Sequence, residues 1–154
     1  MEFIVNTVEE TEKLGIQLGK LCKSGDVICL VGDLGTGKTH LTKGIALGLG
    51  IDENITSPTF NIVNEYDTGR LKFYHFDVYR VNDPDEIAAI GFDEYIFGDG
   101  LSVIEWSNYI EELIPDENLT IYLEKIPQLG SSFRKVTIKY DGNRYDYIKE
   151  LTLW

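Results

Sequence analysis

The residues best suited to chemistry lie between Gly32 and Thr39, which read GDLGTGKT and match the pattern G-x-x-x-x-G-K-[ST] at every fixed position. In such a loop, glycines let backbone N–H groups approach phosphate oxygens, and the helix that follows turns its positive dipole end toward them. Lys38 is placed to reach the terminal phosphates, and the Thr39 hydroxyl to hold Mg²⁺. The sequence therefore predicts a nucleoside triphosphate site.

Two acidic residues end apolar segments downstream of this loop. Asp77 closes the segment 71–77, and Glu105 closes LSVIE at 101–105. In phosphate-loop proteins an acid at the end of a strand holds Mg²⁺, directly or through water, or orients the attacking nucleophile. The alternatives are a turn or helix-capping role for Asp77 and an ordinary strand end for Glu105. Trp106 is either a core or interface residue or a shield that keeps water from the site.

The elements that must position these residues follow from hydrophobic spacing. The motif Thr7-Val8-Glu9-Glu10 has capping-box form and predicts a helix that closes at 24–26. After Thr39, apolar residues recur at helical spacing, namely Leu41, Ile45, Leu47 and Leu49. Strands are predicted at 2–5 (possibly an edge), 27–31, 61–66, 71–77, 101–105, 119–124 and 133–140, with a hairpin turn at 67–70. Further helices are predicted at 83–90, at 107–114 and from Tyr145 toward Trp154.

Length and composition favour one domain. The chain has 154 residues and 43% hydrophobic content, enough for a single core over 1–154, whereas two domains would each be marginal. No apolar run has transmembrane length, and MEFIVNTVEE carries acids where a signal peptide needs basic and then apolar residues. A cytoplasmic protein is expected. Cys22 and Cys29, placed in a helix and a strand, are expected to be buried free thiols.

Negative charge is concentrated in one part of the chain. The formal net charge is −12, and twelve acids but no Lys or Arg lie between Arg80 and Lys125. This segment would repel phosphate backbones, so strong autonomous nucleic-acid binding is not expected. Two interpretations stay open: a solvated acidic face, or a surface for a basic protein partner.

Four motifs in order, GDLGTGKT, SPTF, YHFDVYR and VIEW, make the chain similar to the TsaE family, bacterial ATPases of the tRNA threonylcarbamoyladenosine pathway. The resemblance implies an α/β, P-loop NTPase-like three-layer sandwich whose central sheet is mostly parallel with some antiparallel strands. It implies ATP or ADP and Mg²⁺ as cofactors. It also implies a TsaB–TsaD protein pair as partner, in forming threonylcarbamoyladenosine at position 37 of tRNAs reading ANN codons, with direct tRNA contact weak or absent.

The resemblance also assigns roles to residues of this chain. Lys38, Asp77 and Glu105 would be catalytic, and Thr39, Glu105 and Asp77 would serve the metal. Thr59 would lie in a switch-like loop, and Thr7 near the base. The expected nucleotide-binding residues are Thr7, Asp33, Gly35, Thr36, Gly37, Lys38, Thr39, His40, Thr59, Arg80 and Trp106. His40 stands where a second Thr is expected, so its side chain should lie off the phosphates while its backbone N–H can still donate.

Arg80 is the one arginine that the sequence places near a site residue. If it does not reach the phosphates, turnover of the isolated chain should be slow, and a partner would complete the site. Two other functions remain open: a module in which ATP serves assembly, and a small-molecule kinase. The kinase is disfavoured because 81–124 offers no Lys or Arg for a basic lid. A GTPase is disfavoured because N-K-x-D is absent.

Overall fold

A mixed β-sheet forms the centre of the protein. The computed structural model describes residues 1–58, 62–79, 81 and 83–152, and within them seven strands make one sheet of order β1-β7-β6-β2-β5-β4-β3. The strands are β1 (Glu2–Val5), β2 (Val27–Val31), β3 (Val63–Tyr66), β4 (Phe73–Asp77), β5 (Leu101–Glu105), β6 (Leu119–Lys125) and β7 (Arg134–Tyr140).

Parallel pairing is confined to the middle of the sheet. Strands β6, β2, β5 and β4 run parallel, whereas β1 and β7 on one side and β3 on the other pair antiparallel. The expected combination of a parallel centre with antiparallel strands is confirmed, and β1 lies at an edge. Since the carboxyl ends of parallel strands share one edge of a sheet, β2, β4, β5 and β6 all end on the same side.

Helices cover both faces of this sheet. Helices α1 (Val8–Leu21) and α2 (Lys38–Gly48) bury Leu18 and Ile45 in one core together with Phe73. The short helices α3 (Pro84–Ala89) and α4 (Phe92–Ile96) pack in a second core that includes Phe76. Because Phe73 and Phe76 point to opposite faces of β4, the two cores lie on opposite sides, and the three-layer arrangement is confirmed.

Helix α1 begins with the predicted capping box. Thr7 is the N-cap of α1, and its hydroxyl accepts the Glu10 N–H at 3.1 Å. The Glu10 carboxylate accepts the backbone N–H of Asn6 at 2.6 Å, one residue before the cap. These two bonds satisfy donors that a helix end leaves open, and they fix the β1–α1 junction.

Helices α1 and α2 pack backbone to backbone along four glycines, Gly15 and Gly19 of α1 and Gly44 and Gly48 of α2, here termed the glycine seam. A Cβ added at Gly44 would lie 2.3 Å from the Glu12 carbonyl oxygen, and one at Gly15 would lie 2.5 Å from the Leu41 carbonyl oxygen. No side chain larger than hydrogen fits at these contacts. Because α2 begins with Lys38, the glycine seam also fixes the position of the phosphate loop.

Two predictions about helices are wrong, namely that Leu47 belongs to the apolar stripe of α2 and that 107–114 forms a helix, and one helix was missed. Leu47 is 50% exposed, because it lies two residues after Ile45 and so about 200° around the helix from the buried stripe. The predicted helix at 107–114 is instead two 3₁₀ turns, Ser107–Tyr109 and Glu111–Leu113. Helix α4 was not predicted.

The C-terminal segment also forms a 3₁₀ helix, Asp146–Glu150, instead of the predicted α-helix. Tyr145, Ile148 and Leu151 are buried. Their spacing of three matches the 3.0 residues per turn of a 3₁₀ helix, which explains why the apolar pattern was right and the helix type was not. Trp154 lies outside the described residues.

Both cysteines are free and buried. Cys29 lies in β2, whereas Cys22 directly follows α1 as its C-cap and is not part of the helix. Burial raises the pKa of each thiol to about 12. In the part of the chain that the structure describes, no helix has the length and apolar character that crossing a membrane requires.

Candidate nucleotide site

The phosphate loop joins β2 to α2 and has the backbone shape that an anion site needs. Gly35 and Gly37 have φ of 76° and 104°, in the left-handed region that favours glycine. Gly37 is the N-cap of α2. Because glycine has no side chain to cover the helix end, the first N–H groups of α2 are directed at the space above the loop, where they can bind phosphate.

Lys38 lies over this loop. Its Nζ donates to the carbonyl oxygens of Gly32 and Asp33 at 2.7 and 2.8 Å, and it lies 4.0 Å from the centre of the Trp106 ring. Burial lowers the pKa of Lys38, and the carboxylates of Glu105 and Asp77 act in the opposite direction. The ammonium group is thus held inside the site, between the loop and the acids.

Asp33 and Thr36 stabilise the loop itself. The Thr36 hydroxyl donates to the Asp33 carbonyl oxygen at 2.9 Å, so that this carbonyl accepts from both Thr36 and Lys38. The structure thus gives the main chain of Asp33 a role in holding the loop. Thr36 is buried and lines the cavity described below.

Asp77 and Glu105 meet because their strands are neighbours. They are register partners in the parallel β4–β5 pair, at the carboxyl ends of both strands. Both lie on the sheet face that α2 covers. Phe73, four residues before Asp77, and Val103, two residues before Glu105, point to the same faces as these acids and belong to the α1–α2 core. Burial raises the pKa of Asp77, although its carboxylate also accepts the Tyr79 N–H at 3.1 Å.

A cavity of about 790 Å³ connects these groups. Ten of the sequence-predicted residues line it, and they come from four separate parts of the chain: Thr7, Gly35, Thr36, Gly37, Lys38, Thr39, His40, Asp77, Glu105 and Trp106. Asp33 does not line it, although its carbonyl oxygen accepts from Thr36 and Lys38, which do. Thr59 and Arg80 lie outside the described residues. The His40 imidazole is directed toward α1, with Nδ1 3.6 Å from the Glu12 carboxylate.

The oxygen ligands at one end of the cavity suit magnesium. The Thr39 hydroxyl lies 3.4 Å from the Ser57 hydroxyl, and the carboxylates of Asp77 and Glu105 line the same cavity. No group of three or more His, Cys, Asp or Glu residues forms a metal cage within the described residues. Two carboxylates and a hydroxyl fit Mg²⁺, which proteins usually hold together with substrate phosphates and water.

An aromatic cluster of Trp106, Tyr79 and Tyr109 borders the acids. The Trp106 ring centre lies 4.6 Å from that of Tyr79 and 5.7 Å from that of Tyr109. Trp106 has φ of 63°, in the left-handed region where a bulky residue is strained, at a cost of about 1–3 kcal/mol. The strained turn brings the indole directly over Lys38, where it covers one side of the ammonium group.

Arg134 is the main site residue that sequence reasoning missed. Its guanidinium donates to the Gly35 carbonyl oxygen at 3.1 Å and to Ser131 and Phe133 carbonyl oxygens at 2.8 Å, and it lines the cavity. The expectation that Arg80 is the one arginine near a site residue is therefore wrong. Strand β6 runs parallel to β2, so the β6–β7 turn must lie beside the phosphate loop. Lys125 and Arg134, which flank this turn, could have been placed there only with the β2–β6 pairing known, and hydrophobic spacing does not show that pairing.

The fold and the loop define a phosphate-loop α/β protein of the NTPase-like, three-layer type. Comparisons with known proteins narrow this class. The family model described as "Threonylcarbamoyl adenosine biosynthesis protein TsaE" matches residues 5–133. The chain belongs to the TsaE family.

Named relatives agree with this membership. The chain is 44% identical to the tRNA threonylcarbamoyladenosine biosynthesis protein TsaE of Bacillus subtilis over 142 residues, covering 92% of this chain and 87% of that one. It is 47% identical to the protein of the same name from a Nostoc species, covering 88% of this chain and 77% of that one. The crystal structure of YdiB from Bacillus subtilis matches with a TM-score of 0.83 and 39% identity, over 97% of this chain and 91% of that chain.

Proposed function

We propose that this chain is a Mg²⁺-dependent ATPase that acts in the formation of threonylcarbamoyladenosine at position 37 of tRNAs reading ANN codons. The observation that carries the proposal is one cavity containing the phosphate loop, Lys38 and Thr39 at the start of α2, and the paired acids Asp77 and Glu105. Membership in the TsaE family supports the pathway. ATP hydrolysis, the use of Mg²⁺ and the identity of the partners are further parts of the proposal, which family membership alone does not establish.

Each side chain has a defined part in this proposal. The loop N–H groups and Lys38 bind the phosphates and neutralise their charge, as fixed dipoles and a buried cation do most effectively in a site sheltered from water. Thr39 and one of the two acids hold the metal. The other acid orients the attacking water. Mg²⁺ held there would supply positive charge that offsets the negative charge developing on the phosphates.

Arg134 adds a second cation to the binding site. Its guanidinium lies against Gly35 at the side of the cavity formed by Asn6, Thr7 and Ser132, whereas the acids lie at the end near Trp106. We therefore assign Arg134 to nucleotide binding and not to the γ-phosphate. Among the described residues Arg134 is the one arginine that lines the cavity. If Arg80 does not supply an arginine to the γ-phosphate, the isolated chain should turn over slowly, since such an arginine is worth about 10³–10⁵ in rate.

The proposed partner is a TsaB–TsaD pair, and the acidic segment 83–124 is the surface that suits a basic partner. The segment carries no Lys or Arg and reaches Glu105 at the cavity. A protein bound there could supply a cation to the γ-phosphate. The same charge argues against strong binding of tRNA by this chain alone.

Two other functions are weaker. A nucleotide-dependent assembly module would use the same loop, but it gives no reason for a second carboxylate aligned with Glu105 at the cavity. A small-molecule kinase would need a basic lid, and 81–124 contains no Lys or Arg.

Two variants test the proposal. Lys38→Ala should abolish ATP binding, measured with a fluorescent ATP analogue, because it removes the cation that holds the phosphates. Glu105→Ala should retain binding and lose Mg²⁺-dependent release of phosphate. The matched control is Lys149→Ala, whose side chain is 73% exposed and lies in the C-terminal 3₁₀ helix. Hydrolysis at the wild-type rate in both site variants would refute the assignment, whereas full pathway activity in Glu105→Ala would favour the assembly module.

A further inference from the structure

His75 is a fully buried polar side chain that none of the roles above uses. It is 0% exposed, and its Nε2 lies 2.5 Å from Oε2 of Glu105, itself 2% exposed. In the β4–β5 register His75 is the partner of Val103, two residues before Glu105, so the contact is diagonal across one sheet face. An aliphatic residue would suit this strand position better if only packing mattered.

The second ring nitrogen identifies the direction of the hydrogen bond. Among the described residues, Nδ1 of His75 has no hydrogen-bond partner. A doubly protonated ring, or one with its proton on Nδ1, would bury an N–H group without an acceptor, which is costly. The neutral ring with its proton on Nε2 leaves only a lone pair unpaired. In that form Nε2–H donates to the Glu105 carboxylate.

The ring is held in this orientation by its surroundings. Phe73, two residues earlier on the same strand face, stacks on the imidazole with ring centres 6.4 Å apart and an interplanar angle of 19°. With one face packed against Phe73, the ring has little room to turn. The Nε2–H group is therefore directed at a single oxygen of Glu105.

We propose that His75 is a positioning residue for Glu105: its Nε2–H fixes Oε2 and leaves Oε1 directed at the cavity for the metal or its bound water. This inference rests on the proposed ATPase function. A buried carboxylate without a donor would be free to rotate and would carry an unmet desolvation cost. The hydrogen bond removes both, in the way that outer-shell partners orient metal ligands.

Two substitutions distinguish a positioning role of His75 from a role in packing alone. His75→Leu keeps an apolar side chain in the core but removes the donor, whereas His75→Gln places an amide N–H near the position of Nε2. In the complex with ADP, the Mn²⁺ affinity measured by electron paramagnetic resonance should fall about 10- to 100-fold in His75→Leu, the usual effect of losing an outer-shell partner. His75→Gln should recover most of that loss. ADP affinity without metal should be unchanged in both.

Hydrolysis gives a second readout. His75→Leu should lower kcat with little change in KM, because the phosphates are bound by the loop and Lys38 and not by Glu105. A residue with only a structural role would lower the thermal midpoint but leave the Mn²⁺ affinity and kcat of the folded protein intact. Unchanged Mn²⁺ affinity and kcat in folded His75→Leu would overturn the inference.

The hydrogen bond can also be observed without activity or any variant of His75. The chain has two histidines, so ¹⁵N-labelled His40→Asn protein shows the ring nitrogens of His75 alone. We expect a neutral ring protonated at Nε2, with its signals shifted by Glu105→Gln. A proton on Nδ1 would overturn the inference even if His75→Leu failed to fold. Failure of the proposed function is distinct, because it would appear as absent ATP binding in the wild type.

Discussion

The close packing of α1 against α2 at the glycine seam, which places the phosphate loop, can be tested by the sign of the stability change in Gly44→Ala. Alanine at Gly44 would bring Cβ within 2.3 Å of the Glu12 carbonyl oxygen and within 3.0 Å of the Glu12 Cα. Ordinary contacts of this kind are about 3.4 Å, so α2 must move away from α1 by about 1 Å. The obstructing atoms belong to backbone, and no side chain can rotate to relieve the contact.

Two opposing energies decide the outcome. In a helix without such contacts, Gly→Ala stabilises by about 1 kcal/mol through helix propensity. Overpacking against an immovable neighbour costs about 1–3 kcal/mol, and a backbone contact of this closeness belongs at the upper end. Gly44→Ala should therefore lower the free energy of unfolding by about 2 kcal/mol.

Urea denaturation followed by tryptophan fluorescence measures this change. Lys43→Ala, one residue earlier in α2 and partly exposed, is the control and should stay within about 0.5 kcal/mol of the wild type. Because α2 begins at Lys38, the Gly44 variant should also bind ATP more weakly. A Gly44→Ala protein that is about 1 kcal/mol more stable than the wild type would refute close helix packing at this position.

Two further predictions concern the buried thiols and Arg134. Burial raises the pKa of Cys22 and Cys29 to about 12, so the folded chain holds these protons more tightly than the unfolded chain, whose thiols have a pKa of about 8.5. The free energy of unfolding should thus be retained up to about pH 8 and then fall by about 1.4 kcal/mol per thiol for each pH unit. Urea denaturation at pH 8 and 10 measures it; a Cys22→Ala/Cys29→Ala protein with the same pH dependence would contradict the assignment. Arg134→Ala should weaken ATP binding about tenfold, as expected for one lost charged hydrogen bond. Titration of a fluorescent ATP analogue checks this, with Lys135→Ala, whose ammonium pairs with Glu2 at 3.4 Å, as control; equal affinities in the two variants would count against a role for Arg134.

The phosphate end of the site could be predicted from sequence because its parts are local or follow from strand ends. The loop and the first turn of α2 are contiguous, and the motif fixes their geometry. Asp77 and Glu105 are far apart in sequence but each ends a parallel strand, and parallel strands end at one edge. The loop motif and the rule that parallel strands end at one edge of a sheet were sufficient to predict that these residues lie together.

The other end of the cavity depends on strand order, which the sequence does not reveal. Arg134 reaches Gly35 because β6 pairs in parallel with β2, which brings the β6–β7 turn beside the phosphate loop. Hydrophobic alternation cannot show that pairing. The His75–Glu105 contact likewise requires the β4–β5 register. The 3₁₀ segments were missed because short helices of either type bury apolar residues at nearly the same spacing.

The proposed activity of the cavity is the binding and Mg²⁺-dependent hydrolysis of ATP. The most direct measurement is phosphate release by the purified wild-type chain and by Lys38→Ala, each alone and with a TsaB–TsaD pair. We expect slow hydrolysis by the wild type, a sharp rise when the pair is added, and none by Lys38→Ala. Wild-type phosphate release no greater than that of Lys38→Ala, with and without the pair, would contradict it.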